Sequence, residues 1–98
     1  MIFTLICKDR PGQLETRMSN RPAHVDYLNG LNAAGKLKFA GPFLGPDGKP
    51  IGSLVAIEAV DRAEAESIAA GDPYAGAGLF ESTEILPWNW VFNAPETK

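Results

Sequence analysis

Two runs rich in β-forming residues, LKFAGPFL (37–44) and IGSLVAIEAV (51–60), flank the turn-rich GPDGKP and put a hairpin at the centre of the chain. That hairpin fixes one antiparallel strand pair. The segments on either side of it decide what the pair can join.

Upstream, IFTLICK (2–8) is β-rich and bounded by DRPG, so it reads as a first strand and a loop. The stretch that follows is helical in character but contains Pro22, which removes a hydrogen bond inside a continuous helix and is tolerated in a first turn. The spacing therefore predicts a break or kink at RPAH, with Ser19 or Asn20 as a cap. From there His24, Tyr27, Leu28 and Leu31 follow the i, i+3, i+4, i+7 spacing of one helical face, which turns His24 inward, and Gly35 is placed to end the helix. Downstream, Asp61 can cap a helix through AEAESIAA that stops at Gly71, and LFESTEILP alternates as a last strand. The order β-α-β-β-α-β is the ferredoxin-like split pattern: an α+β fold with an antiparallel sheet and two helices on one face.

The 98 residues make one domain. A helix-on-sheet unit leaves its other sheet face bare, and the tail from Trp88 to Lys98 begins WNWVF, with three aromatics that need cover. A homodimer with sheet faces packed together, and this tail at the interface, meets both needs. In so small a domain a binding site at a subunit interface is attractive.

The formal net charge of −3 offers no general attraction to nucleic acid or to an anionic membrane. Nor are basic residues interleaved with the sheet aromatics. MIFTLICK lacks a basic leader and is too short for a signal or a membrane span. A single cysteine, Cys7, and a single histidine are too few for the usual zinc arrangements, and a reducing, cytoplasmic setting is expected. Cys7 reads as a small core residue. The glycines of GPFLGPDGKPIG lack phosphate-loop spacing, and no serine has nucleophile-elbow spacing. No metal and no organic cofactor are expected.

The chemistry concentrates on His24. On an apolar helix face an imidazole needs a partner for its ring N–H and leaves its other nitrogen free. Asp72, in the GDPY that ends the second helix, can orient the ring or can simply stop the chain. Tyr74 can hydrogen-bond a substrate oxygen or, the favoured reading, pack against the first helix. Gly41 and Pro42 lie at a strand end where a ligand can approach the backbone or the sheet can bend. Arg21 and Arg17 precede His24 and can attract an acidic or phenolate substrate, or pair with Glu15 or Asp26.

RMSNRPAHVDYLNGLNAAGKLKFAGPF, then GDPYAGAGLFES, then ILPW, in this order, resembles the YciI-like proteins of the dimeric α+β barrel group. The resemblance spans nearly the whole chain. It implies a ferredoxin-like subunit, a dimer with sheets face to face, and an active site around a histidine and an aspartate, which fall on His24 and Asp72. The family includes a member that eliminates chloride from a chlorinated hydroxyquinol. What the resemblance implies here is a cofactor-independent His–Asp general base acting on a small cyclic or aromatic substrate by elimination or isomerisation. The alternative is a non-catalytic module that binds a small molecule or serves as an accessory dimer.

Overall fold

The computed structural model describes residues 1–95. Its elements are β1 (Ile2–Asp9), α1 (Leu14–Ala33), β2 (Leu37–Leu44), β3 (Pro50–Glu58), α2 (Arg62–Gly71), α3 (Pro73–Gly76) and β4 (Phe80–Trp88). The strands form one antiparallel sheet in the order β2-β3-β1-β4. This is the split βαβ arrangement expected from the sequence, with one short helix added between α2 and β4.

The sheet register explains the core. Phe3 pairs with Ile57, Leu5 with Val55 and Cys7 with Ser53, and these residues face the helices because alternate side chains point to the same side of a strand. Ala65 and Ile68 of α2 close over them, and Tyr27, Leu28 and Leu31 pack from α1. The intervening residues Thr4, Ala56 and Leu86 point to the open face, where Phe39 meets Trp88 and Trp90 edge-on at 5.5 and 5.1 Å. Phe43, Leu86 and Trp88 remain exposed there.

Three boundaries differ from the sequence reading. Helix α1 runs through Pro22 without a break, and Asn20, far from capping a new helix, donates from Nδ2 to the Thr16 carbonyl one turn back. The proline forfeits one N–H bond within the helix, and tertiary bonds from Arg17 hold the turns before it against the sheet. Trp88 belongs to β4, so the tail starts at Asn89, and it forms no strand through Pro95; the tail positions 96–98 lie outside the described residues. Strand β3 ends at Glu58.

The helix ends follow from local chemistry. Asp61 caps α2 by accepting from the Glu64 N–H at 2.9 Å. Gly35, at φ 75°, closes α1 in a Schellman motif: Lys36 N–H donates to the Leu31 carbonyl and Gly35 N–H to the Asn32 carbonyl.

Candidate active site

The segment GDPYAGAG is built by its own sequence into a sharp corner. Pro73 forces the residue before it out of the helical region, and Asp72 takes φ −65°, ψ 129°. Its carboxylate then accepts from the Tyr74 N–H at 2.9 Å, so Asp72 both ends α2 and caps α3. Gly78, at φ 71°, closes this single turn in a second Schellman motif, with Leu79 N–H on the Tyr74 carbonyl, and sends the chain into β4.

Gly71 is the last residue of α2, as expected, and it serves a second purpose. A Cβ there would lie 2.6 Å from the Tyr27 hydroxyl, which donates to the Ile68 carbonyl at 2.7 Å. The missing side chain lets α1 approach the end of α2. Tyr27 lies one turn after His24 and Gly71 directly precedes Asp72, so the same close approach joins the two site residues. His24 Nδ1 is 2.8 Å from Asp72 Oδ1, and both residues are 8% exposed. An ionised carboxylate only accepts, so a neutral His24 ring bonded to it would carry its hydrogen on Nδ1 and leave the Nε2 lone pair free.

Tyr74 is 1% exposed and stacks on the His24 ring, with centroids 4.0 Å apart and planes within 13°. The Arg17 guanidinium lies 4.7 Å from the Tyr74 ring centroid on α1's side, and Phe80 meets the ring edge-on. The ring thus packs against the first helix. Burial pushes the Tyr74 phenol above its ordinary value, with Arg17 and Arg21 pulling the other way, so it stays a neutral hydroxyl.

Beside this stack lies a network that the sequence reading missed. Arg17 pairs with neither Glu15 nor Asp26; Nε and Nη2 donate to the two oxygens of Asp9 at 2.7 and 3.0 Å, and Nη2 also donates to Ser53 Oγ at 2.8 Å. The Arg17 and Asp9 side chains are 5% and 7% exposed. Burial works against the Arg17 charge, and the Asp9 carboxylate more than offsets it, holding the guanidinium above its ordinary value. The signal was present: Asp9 continues the inward parity of Phe3, Leu5 and Cys7, and Arg17 stands seven residues before His24 on the same helical face. A carboxylate on a core face has to find a cation.

These groups line a cavity of about 410 Å³ between α1 and β2–β3. Arg17, Arg21, His24 and Tyr74 bound one side and Gly41, Pro42 and Ser53 the other. Asp72 stands behind the imidazole, outside the wall. Arg21 is exposed at the rim and makes no ion pair among the described residues. A Cβ at Gly41 would meet nothing within 4 Å, so protein packing does not demand glycine there. Among the described residues no three His, Cys, Asp or Glu side chains are grouped to hold a metal ion, and no helix is long and apolar enough to cross a membrane.

Cys7 is buried in the core beneath the site, where desolvation pushes its thiol up to about 11. Because the thiolate is the reactive form, iodoacetamide at pH 8 should leave the native protein unlabelled and modify it promptly in urea. Rapid labelling of the folded chain at that pH would show the thiol to be accessible and ionised.

A family model, the YCII-related domain, matches residues 1–89. Protein YciI of Escherichia coli O6:H1 is 34% identical across 94% of this chain and 100% of its own length. The derivative of benzaldehyde biosynthesis cluster protein C of Emericella nidulans is 36% identical, covering 66% of this chain and 74% of that protein. Among solved structures, the 5-chloro-2-hydroxyhydroquinone dehydrochlorinase of Burkholderia phenoliruptrix, in complex with 2,5-dihydroxybenzoquinone, matches with a TM-score of 0.83 and 38% identity over 91% of this chain and 94% of that one.

Proposed function

This chain belongs to the YCII-related domain family, and from that premise we propose that it is a cofactor-independent enzyme in which His24, oriented by Asp72, acts as general base on a small cyclic or aromatic substrate. The observation that carries this reading is the 2.8 Å contact between His24 Nδ1 and Asp72, with the imidazole on the wall of a cavity of about 410 Å³. That volume suits a ligand of one ring. The similarity to a dehydrochlorinase supports chemistry of this kind in the family.

The step needs no external oxidant. His24 Nε2 takes a proton from the substrate, and the electron pair left behind moves through the ring and expels a leaving group such as chloride. The net change is loss of one acid molecule. In an isomerisation the same pair is instead reprotonated at another carbon. Asp72 stabilises the imidazolium formed in either case. Arg21 at the rim attracts a phenolate, Tyr74 backs the imidazole, and Gly41 and Pro42 present backbone to the ring.

The working unit is a homodimer joined through the open sheet face, where Phe43, Leu86 and Trp88 are exposed beside Phe39 and Trp90. Packing against a second copy would remove these apolar side chains from water.

The first test reads the imidazole directly. His24 is the sole histidine, so its ring nitrogens are unambiguous in ¹⁵N-correlated spectra. We expect the neutral ring to carry its hydrogen on Nδ1; a ring protonated on Nε2 instead would remove the base. Chloride release from 5-chloro-2-hydroxyhydroquinone is the matching activity assay. Tight binding with no release would favour the non-catalytic module.

A further inference from the structure

The corner that aims Asp72 at His24 leaves α2 with a carbonyl short of its donor. In a continued α-helix the Asp72 N–H would bond to the Ile68 carbonyl, four residues back. The last turn of α2 tightens instead, and the Asp72 N–H donates to the Ala69 carbonyl at 3.3 Å. The Tyr27 hydroxyl takes the place left open, donating to the Ile68 carbonyl from 41 positions away in the sequence. Tyr27 stands one turn beyond His24 on α1, so this bond and the His24–Asp72 contact join the same two elements side by side. Among the described residues the Asp72 carboxylate bonds to His24 and to the Tyr74 N–H just beyond it, both through Oδ1. Apart from the imidazole itself, none of those bonds fixes Asp72 against α1. Tyr27 is not part of the cavity wall, and it acts on the site through the end of α2.

We propose that Tyr27 is a positioning residue for the base: its phenol, bonded to the Ile68 carbonyl, braces the end of α2 so that Asp72 keeps hydrogen-bond distance from His24 while the ring gains and loses a proton. This rests on the reading of His24 as the general base. A hydrogen bond weakens once its heavy atoms part beyond about 3.2 Å, so a small drift of the corner is enough to release the ring. The role needs the hydroxyl as well as the aromatic ring. It also makes glycine at 71 a condition of the site, because a Cβ there would lie 2.6 Å from the Tyr27 oxygen and 3.2 Å from the ring carbon that bears it.

The test reads two native-state signals by NMR in the full chain, for wild type, Tyr27→Phe and Gly71→Ala. One is the tautomer ratio of the neutral His24 ring, unambiguous in a protein with one histidine; the other is the resonance of the Tyr74 amide, whose N–H is bonded to Asp72. Tyr27→Phe keeps the ring packing and removes the brace. The expected result is a rise of roughly two- to tenfold in the Nε2–H to Nδ1–H ratio, as for the weakening of one hydrogen bond, with a displaced Tyr74 amide resonance. Gly71→Ala should move both signals the same way, and Tyr27→Phe decides the matter if that variant does not fold. A Tyr27→Phe protein that melts at a lower temperature but keeps the wild-type ratio and the wild-type Tyr74 resonance overturns the proposal, since the hydroxyl then serves stability alone. If the wild-type ring carries its hydrogen on Nε2, the general-base reading falls; a Tyr74 resonance displaced by Tyr27→Phe then still supports the brace on Asp72, and an unmoved one overturns it.

Discussion

Replacing His24 by Gln lowers turnover by roughly 10²–10⁴-fold, the span a positioned general base contributes, while the protein stays folded. Glutamine keeps an N–H for Asp72 and fills much of the imidazole's volume, but it has no nitrogen that can take a proton at neutral pH. The effect should fall mainly on kcat, because the interaction lost is one made as the proton moves. Chloride release and a thermal melt on the same samples check both halves of the expectation. A His24→Gln protein with wild-type turnover would exclude the mechanism. Asp72→Asn should give a smaller loss: the amide can still accept from Nδ1–H and from the Tyr74 N–H, but it carries no charge to stabilise the imidazolium.

Asp9→Ala destabilises the fold by about 3–5 kcal/mol, the usual cost of leaving one member of a buried ion pair uncompensated. The Arg17 side chain is 5% exposed and cannot reach water without leaving its contacts with Ser53 and the Tyr74 ring. Urea unfolding measures the loss as a shift in midpoint at constant slope. The double variant Asp9→Ala with Arg17→Met should recover much of it, since an apolar side chain of similar length removes the orphaned charge. A single-variant change below about 1 kcal/mol would mean that the pair is solvated, as surface pairs are.

The strand order was legible because each strand carries its own pattern. GPDGKP joins two β-rich runs, DRPG ends the first, and the alternation from Phe3 to Cys7 assigns one face to the core. His24 was legible as inward-facing from its spacing with Tyr27, Leu28 and Leu31, and its meeting with Asp72 was legible only by resemblance to other chains. The tie between Tyr27 and Gly71 was not legible at all, because a glycine after AESIAA fits a helix stop equally well. Pro22 misled for a related reason. Its local cost is real, but the network around Arg17 lies between residues far apart in sequence and outweighs it.

What the sequence by itself determined, then, is whatever rests on neighbours along the chain: the four strands, the cap at Asp61, the helix ends at Gly35 and Gly71 and the inward face of α1. Only the tertiary structure decided which polar groups meet. Asp9, Arg17 and Ser53 come from three elements, and the Arg17–Ser53 bond spans 36 positions. His24 and Asp72 are separated by 48. Hydrogen bonds and ion pairs act over about 3 Å, so their partners depend on how helix and sheet pack, and that packing is set by the whole core at once.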